Sequence, residues 1–472
     1  MKQELLECLK SRDRDWLRYY ADGIQSDRSR EVERLTEVRL KQMLLLGNLL
    51  RPIVFVVEAN PIEFIATFLA GVIAEANLFL CDPGWQQQEW EQVLQLVEPD
   101  LVCGDRQTQE SIAKVGSAVR KSTNMLEIPD ESLIMIPTGG TSGKIRFAMH
   151  TWETLSASVS GFKAYFGCQK INSYCTLPLY HVSGLMQLMR SWLTQGNLII
   201  CQYKVLKTDR VRSSQPDYFI SLVPTQLKYL IEFVPEWLAE FKTVLLGGAP
   251  PMRSLLDTAR EYNIPVALTY GMTETASGVA ILKPQDFLTG NNSSGLTLPH
   301  AEIELTLFTE SDRSLAELEN NNIGCINISS SSLCLGYYPR RFTPGQSLVT
   351  DDLGYFDRQG YLHLVGRNSQ KIITGGENVF PAEIESAIYK TGLVKDVCVI
   401  GMSDRLWGQV VTAIYVPTLK WDLNSIEQQL REQLAGYKQP KNWIEVNAIP
   451  RNDRGKINYQ KLSETIDAIG NR

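Results

Sequence analysis

Residues 138–146 are the part of this chain best equipped to hold an anion. They read Thr138, Gly139, Gly140, Thr141, Ser142, Gly143, Lys144, Ile145, Arg146. Glycines let a backbone curl close to a ligand, and its exposed N–H groups and hydroxyls then donate to that ligand. Lys144 and Arg146 add positive charge. The apolar run Ser132 to Pro137 reads as a buried strand that delivers the chain into this loop. Ordinary surface turns draw on the same residue types. Two familiar loops are excluded by spacing. A Walker A loop has four residues between its first Gly and its Gly-Lys, then Ser or Thr. Here Gly139 and Gly143 enclose three, and Ile145 follows Lys144. A hydrolase nucleophile elbow needs Gly-x-Ser-x-Gly, and Lys144 stands where the second glycine belongs.

Other segments carry weaker chemistry. Tyr270-Gly-Met-Thr-Glu-Thr275 places Glu274 in a Thr-rich turn after the strand-like Val266–Thr269. Such a glutamate can take Mg²⁺, which prefers oxygen ligands, or simply sit at a helix start. Gly247, Gly248, Ala249 and Pro250 form a tight turn after Thr243–Leu246, where α/β ligand sites tend to lie. Asp351, Asp352 and Arg367 offer groups for sugar hydroxyls. Gly375 and Gly376 expose backbone before a helix, and Lys456 ends a flexible turn. Leu177 to Gly184 contains a lone His181 and a Ser183-Gly pair, and Arg190 interrupts the apolar stretch Leu185–Leu193. An arginine there either snorkels to solvent or needs an anion.

Elements must position these groups, and composition bounds them. The chain has 472 residues, 44% hydrophobic and 21% charged, as expected for a soluble protein of two to four domains. The net charge is −6 with no basic tract, which argues against nucleic acid as a partner. Nine cysteines without a Cys-x-x-Cys pair and four histidines argue against a zinc site and for a reducing, cytoplasmic setting. Met1–Glu7 lacks a signal-peptide core, and the apolar run Phe64–Ala74 is too short to span a bilayer.

Strand-like runs at 52–57, 77–82, 101–104, 196–201, 218–223 and 243–246 alternate with helical patterns at 61–75 and 85–97. Thr151 caps a further helix with Leu155, Val159, Phe162 and Phe166 at helical spacing. This order predicts α/β architecture with largely parallel sheets. Shorter β-rich segments follow at 301–308, 324–328 and 361–365, then a linker at 366–370. A small α+β unit comes last, with helices at 381–390 and 424–434 and strands at 397–400 and 410–416.

The order of these motifs resembles the adenylate-forming superfamily of acyl- and aryl-CoA synthetases, peptide-synthetase adenylation domains and firefly luciferase. The resemblance spans about residues 45 to 465. It implies a large amino-terminal domain (1–368) of two α/β subdomains and a β-barrel, and a small mobile carboxy-terminal domain (369–472) hinged at Ser369. It implies ATP, Mg²⁺ and coenzyme A as reaction partners. Residues 138–146 would take the ATP phosphates, with Gly248, Ala249, Pro250, Tyr270, Gly271 and Thr273 around adenine. Asp352 and Arg367 would hold the ribose and Glu274 the Mg²⁺. Lys456 would be catalytic, along with Glu274, Thr138 and His181. His181, Ser183, Arg190 and Gly271 would border the acyl group, and Gly375 and Gly376 the CoA tunnel. Within the family, the Leu177–Leu185 stretch with Arg190 is similar to the branch that activates 2-succinylbenzoate for menaquinone and phylloquinone synthesis. Other aryl- or acyl-CoA ligases, carrier-loading adenylation enzymes and a non-catalytic nucleotide-binding relative are the alternatives. Three positions depart from the family pattern. Ile145-Arg146 replaces Pro-Lys, Thr350-Asp351-Asp352 replaces Thr-Gly-Asp, and Ser369 replaces a charged hinge residue.

Overall fold

The structure is a computed structural model. It describes residues 7–470 except 8, 10–11, 13–14, 22–23, 47–48, 50, 119–130, 140–143, 207–212, 308–322, 376 and 452–455. Two large sheets form the first lobe. A seven-stranded sheet runs Arg340–Arg341, Gly336–Tyr337, Ile145–His150, Ile134–Gly139, Asn77–Leu80, Ile53–Val56, Leu101–Cys103. Its last four strands are parallel. A nine-stranded sheet runs Leu296–Thr297, Ser277–Ile281, Val266–Met272, Thr243–Leu246, Tyr218–Leu222, Asn172–Cys175, Leu198–Cys201, Leu17–Ala21, Ile24–Asp27.

Both faces of these sheets are covered, which is why their strands read as continuous apolar runs. Period-two alternation sends Val54 and Val56 into one cluster and Phe55 and Val57 into another. The first cluster joins the sheets. It combines Val54, Leu78 and Ile136 of one with Leu198 and Ile200 of the other, through Ile65, Leu185 and Met189 of intervening helices. The cap predicted at Thr151 is present: its side chain accepts from the Thr154 N–H above the helix Trp152–Phe166.

A four-stranded antiparallel sheet follows, in the order Ala301–Leu307, Gly324–Ser330, Leu348–Phe356, Leu362–Arg367. It occupies the place in which a β-barrel was expected. After a short turn at Asn368–Gln370 the chain enters a five-stranded sheet. Two helices, Pro381–Lys390 and Leu423–Gln433, pack on that sheet through Ile384, Ile388, Ile426 and Leu430. Among the described residues, no helix is long and apolar enough to cross a membrane.

The glycine loop is narrower than its sequence suggests. Ile134–Gly139 and Ile145–His150 are antiparallel partners, with Thr138 opposite Arg146 and Gly139 opposite Ile145. Thr138 and Arg146 are therefore strand residues flanking the loop. Gly140, Thr141, Ser142 and Gly143 lie outside the described residues, as does Gly376.

Candidate active site

The strand Val266–Met272 ends in a single 3-10 turn, Thr273–Thr275. Ala276 and Ser277 then take positive φ, 49° and 94°, which reverses the chain into Ser277–Ile281. Such backbone is costly for residues with a side chain, so neighbours must hold it. Five successive carbonyls are engaged. Thr273 accepts from His150 Nε2 at 2.8 Å and Glu274 from the Cys334 N–H at 2.8 Å. Thr275 accepts from Ser332 Oγ at 2.9 Å and Ala276 from Ser158 Oγ at 2.7 Å. Ser277 accepts from Thr275 Oγ1 at 2.7 Å. His150 is fully buried, and burial depresses its imidazole to about 4, so it is neutral. A carbonyl only accepts, so the proton sits on Nε2 and Nδ1 faces Thr154 Oγ1 at 3.0 Å.

This turn presents Glu274, whose residue is only 6% exposed. Its Oε1 accepts from the Tyr337 hydroxyl at 2.6 Å. Among the described residues, Oε2 receives no hydrogen bond. A buried carboxylate with one oxygen fixed and one open suits Mg²⁺, which commonly takes one or two protein carboxylates plus phosphate and water. Among the described residues no larger cluster of acidic or soft ligands exists.

The two aspartates after Thr350 have different neighbours. Asp352 stands opposite Arg367 across the antiparallel pair. Its Oδ1 accepts from Arg367 Nε at 3.2 Å, and its Oδ2 accepts from the Tyr270 hydroxyl at 3.0 Å. The buried Tyr270 phenol is pushed above its ordinary range, first by desolvation and then by Asp352, so it stays a donor. Asp351 is exposed and accepts instead from the Ser369 N–H at 3.0 Å and from its hydroxyl. Close by, Gly247 has no room for a Cβ, which would lie 2.3 Å from Thr269 Oγ1.

The helix Val182–Leu193 approaches the turn from the other side, with His181 at its N-cap. Ser183, Gln187 and Arg190 share one face by their spacing of four and three. The face runs from exposed Ser183 to buried Arg190, about 10 Å along the axis. Arg190 Nη2 donates to Ser277 Oγ at 3.0 Å, and the guanidinium lies 4.1 Å over the Phe162 ring. Among the described residues its Nε–H has no acceptor, and Gln187 Oε1 has no donor. Among the described residues no carboxylate pairs with Arg190. Burial lowers it to about 10. His300, beside it, is lowered to about 4 by burial and then by Arg190, and neither ring nitrogen is hydrogen-bonded.

The groups expected to act later sit in the last sheet's framework. Gly375 has φ +61°, and a Cβ there would lie 2.7 Å from the Trp407 ring. Lys456 is exposed and precedes Ile457, which bridges Arg451, and the Asn458 N–H bonds the Pro450 carbonyl at 2.8 Å. Arg451 is tied to Asp396 at 2.9 Å.

Residues 45–338 match the AMP-binding enzyme family, and residues 383–456 match the AMP-binding enzyme C-terminal domain. The chain belongs to the AMP-binding enzyme family. Among its relatives is the 2-succinylbenzoate–CoA ligase of Oceanobacillus iheyensis, 32% identical over 71% of this chain and 70% of the relative. The enzyme of the same name from Listeria monocytogenes serovar 1/2a is 31% identical over 75% of each chain. The fold is shared with o-succinylbenzoate CoA synthetase from Bacillus subtilis in complex with the acyl-adenylate intermediate (TM-score 0.78, 24% identity, 97% of both chains). It is shared too with ATP-bound MatB from Rhodopseudomonas palustris (TM-score 0.79, 23% identity, 99% of this chain and 100% of that one).

Of the residues expected at the site, hydrogen bonds bring Tyr270, Asp352 and Arg367 together, and Glu274 follows Tyr270 in the turn that ends the same strand. Three residues that hold this site were not singled out in the sequence: His150, His300 and Tyr337. His150 ends an alternating strand, Ile145-Arg-Phe-Ala-Met-His150, that the glycine loop overshadowed. Tyr337 follows a glycine in a short strand, Gly336–Tyr337, with no pattern of its own. His300 follows Pro299 in a turn, again with no local signal.

Proposed function

We propose that this protein is an ATP-dependent carboxylate–CoA ligase acting on 2-succinylbenzoate. The observation that carries the substrate is Arg190. A buried guanidinium with no carboxylate partner among the described residues, at the inner end of a polar helix face, suits a second carboxylate on the acid. The names of the relatives support the same reading.

In this reading the domains are 1–368 and 369–472. Thr138, Lys144 and Arg146 with the intervening loop take the phosphates. Tyr270 and the Gly247–Pro250 turn bound the adenine, and Asp352 with Arg367 holds the ribose. Glu274 would hold Mg²⁺, which supplies charge neutralisation at the phosphates when bound. His181, Ser183 and Gly271 line the acyl group. A carboxylate and an α-phosphate are both anions, so Lys456 lowers the barrier by neutralising charge where they meet. Acyl-AMP and pyrophosphate result. The thiol of coenzyme A then attacks the acyl carbon and AMP leaves. Rotation about Ser369 withdraws Lys456 and brings Gly375 and Gly376 to the thiol's path, so one site serves both steps. The protein works as a cytoplasmic enzyme on small molecules.

The test is pyrophosphate release over a panel of carboxylic acids, with and without coenzyme A. Release that depends on 2-succinylbenzoate, with thioester formed only when coenzyme A is present, is the expected result. Preference for monocarboxylic acids would remove the substrate assignment. Thioester formed on a carrier protein but not on free coenzyme A would make this a carrier-loading enzyme.

A further inference from the structure

The Glu274 carboxylate and the glycine-loop cation are joined through one side chain. Tyr337 lies opposite Ala148 on the return strand of the loop hairpin. Arg146 is two residues away on that strand, hence on the same face and diagonal to Tyr337. Its guanidinium sits 4.2 Å from the centroid of the Tyr337 ring. The phenol oxygen is 2.6 Å from Glu274 Oε1. The segment carrying Tyr337 is itself sewn to both neighbours. Ser332 Oγ and the Cys334 N–H bond the Glu274 turn, at 2.9 and 2.8 Å. The Leu335 and Tyr338 N–H groups bond Met149 and Phe147 of the loop strand, at 2.7 and 2.9 Å.

We propose that Tyr337 is a positioning residue for the metal-binding carboxylate, and that Arg146 holds Tyr337 in place by stacking. This rests on the reading of Glu274 as the Mg²⁺ carboxylate. A carboxylate with one oxygen tied to a phenol keeps a single orientation and leaves the other oxygen for the ion. Without that tie, the ion would have to order a freely rotating side chain on binding. Stacking also gives physical sense to the replacement of Pro-Lys by Ile145-Arg146. A planar guanidinium lies flat on a ring, which an ammonium on a flexible stem does less well.

The experiment is calorimetric titration of ATP into the protein across a range of Mg²⁺ concentrations, and in EDTA, with no acid substrate present. Tyr337→Phe keeps the ring and its stack but removes the hydroxyl. The Mg²⁺ concentration giving half-maximal ATP affinity should rise about 10-fold, the usual size for loss of a hydrogen bond to a charged group. ATP affinity in EDTA should be unchanged, while the thermal midpoint should fall, because a buried carboxylate oxygen loses its donor. Arg146→Lys should raise the same Mg²⁺ requirement in the wild type and much less in the Tyr337→Phe background. That non-additivity is the signature of one coupled unit. A wild-type Mg²⁺ dependence in Tyr337→Phe overturns the proposal, as does equal weakening with and without Mg²⁺. Glu274→Gln separates the two readings. If it leaves the Mg²⁺ dependence intact, Glu274 is not the metal carboxylate and both fall. If it abolishes the dependence while Tyr337→Phe does not shift it, only the positioning role falls.

Discussion

Arg190→Leu should impair recognition of the dicarboxylate while leaving the fold almost untouched. Burial pushes this guanidinium down from its ordinary range to about 10. At about 1.4 kcal/mol per tenfold change, keeping it charged costs the folded protein roughly 3 kcal/mol. The folded value is depressed yet lies far above neutrality, so the cost is present in full at pH 7. Against it stand the bond to Ser277 Oγ and the stack on Phe162. These contribute about 1 and about 1–2 kcal/mol respectively. The two sides nearly cancel. Leucine adds burial of its own, so the net change in stability should lie within about 1 kcal/mol of zero. That is unusual for truncation of a long side chain in a core, where losses of 2 kcal/mol or more are common.

The functional effect should be large by comparison. An anion arriving beside Arg190 recovers part of that desolvation cost, and loss of a charged hydrogen-bond partner typically costs about 1.5–3 kcal/mol. KM for 2-succinylbenzoate should therefore rise by about 10- to 100-fold, with KM for ATP unchanged. The control is the same acid esterified at the carboxylate that is not activated. Its kcat/KM should hold steady or improve in the variant, because no buried cation then goes unpaired. The assay is pyrophosphate release with both acids beside a thermal unfolding curve. Unchanged dicarboxylate kinetics with a fall of several degrees in Tm would refute the reasoning and make Arg190 a packing residue. Equal losses for both acids would do so as well.

Three further outcomes follow from the same geometry. Lys456→Ala should slow adenylate formation by about 10²–10³, as expected for a preorganised cation at developing charge, and leave thioester formation from supplied acyl-AMP near normal; equal losses in both half-reactions would make Lys456 structural. Gly375→Ala forces a side chain into positive φ and against Trp407, so coenzyme A-dependent turnover should drop several-fold while the pyrophosphate burst persists. His150 titrates near 4 when folded and near 6.5 when unfolded, so its contribution is present above 6.5 and is lost as pH falls toward 4. His150→Gln should therefore gain stability relative to wild type by up to about 3 kcal/mol across that window in denaturant titrations; a pH-independent difference would mean that the imidazole already carries a proton in the fold.

Where a signal was local, the sequence was readable. Pro381 opens a helix that ends at Lys390, and Thr151 caps one that starts at Trp152, because caps and proline act within one turn. The apolar runs at 243–246 and 218–222 are buried strands because both faces of a parallel sheet are covered. Candidate site residues were picked out in the same way, from short motifs. Tyr270, Asp352 and Arg367 are read from short strings and then meet across 82 and 15 residues of sequence separation. The residues that support them were not legible. His150 reaches Thr273 across 123 residues, and Tyr337 reaches Glu274 across 63. Each of those bonds depends on how two sheets face one another, and no period or spacing encodes that.

The two departures at 351 and 369 show the same limit from the other side. In the sequence they are separate oddities: an aspartate where the family has glycine, and a serine where it has a charged hinge residue. In the fold they are one contact. The side chain of Asp351 accepts from both the N–H and the hydroxyl of Ser369. It thereby caps the 3-10 turn Asn368–Gln370 from the preceding strand pair. A charge still stands beside Ser369, but it comes from the preceding strand pair. Asp352, the next residue, is committed to Tyr270 and Arg367. Consecutive residues of an extended strand point to opposite faces, so one aspartate can grip the turn while its neighbour faces the ligand. If Ser369 is the hinge and Asp352 the ribose carboxylate, as proposed above, any rotation there must break or carry with it a bond made one residue from that carboxylate. On that reading the paired replacement ties the hinge's movement to the nucleotide site rather than weakening it.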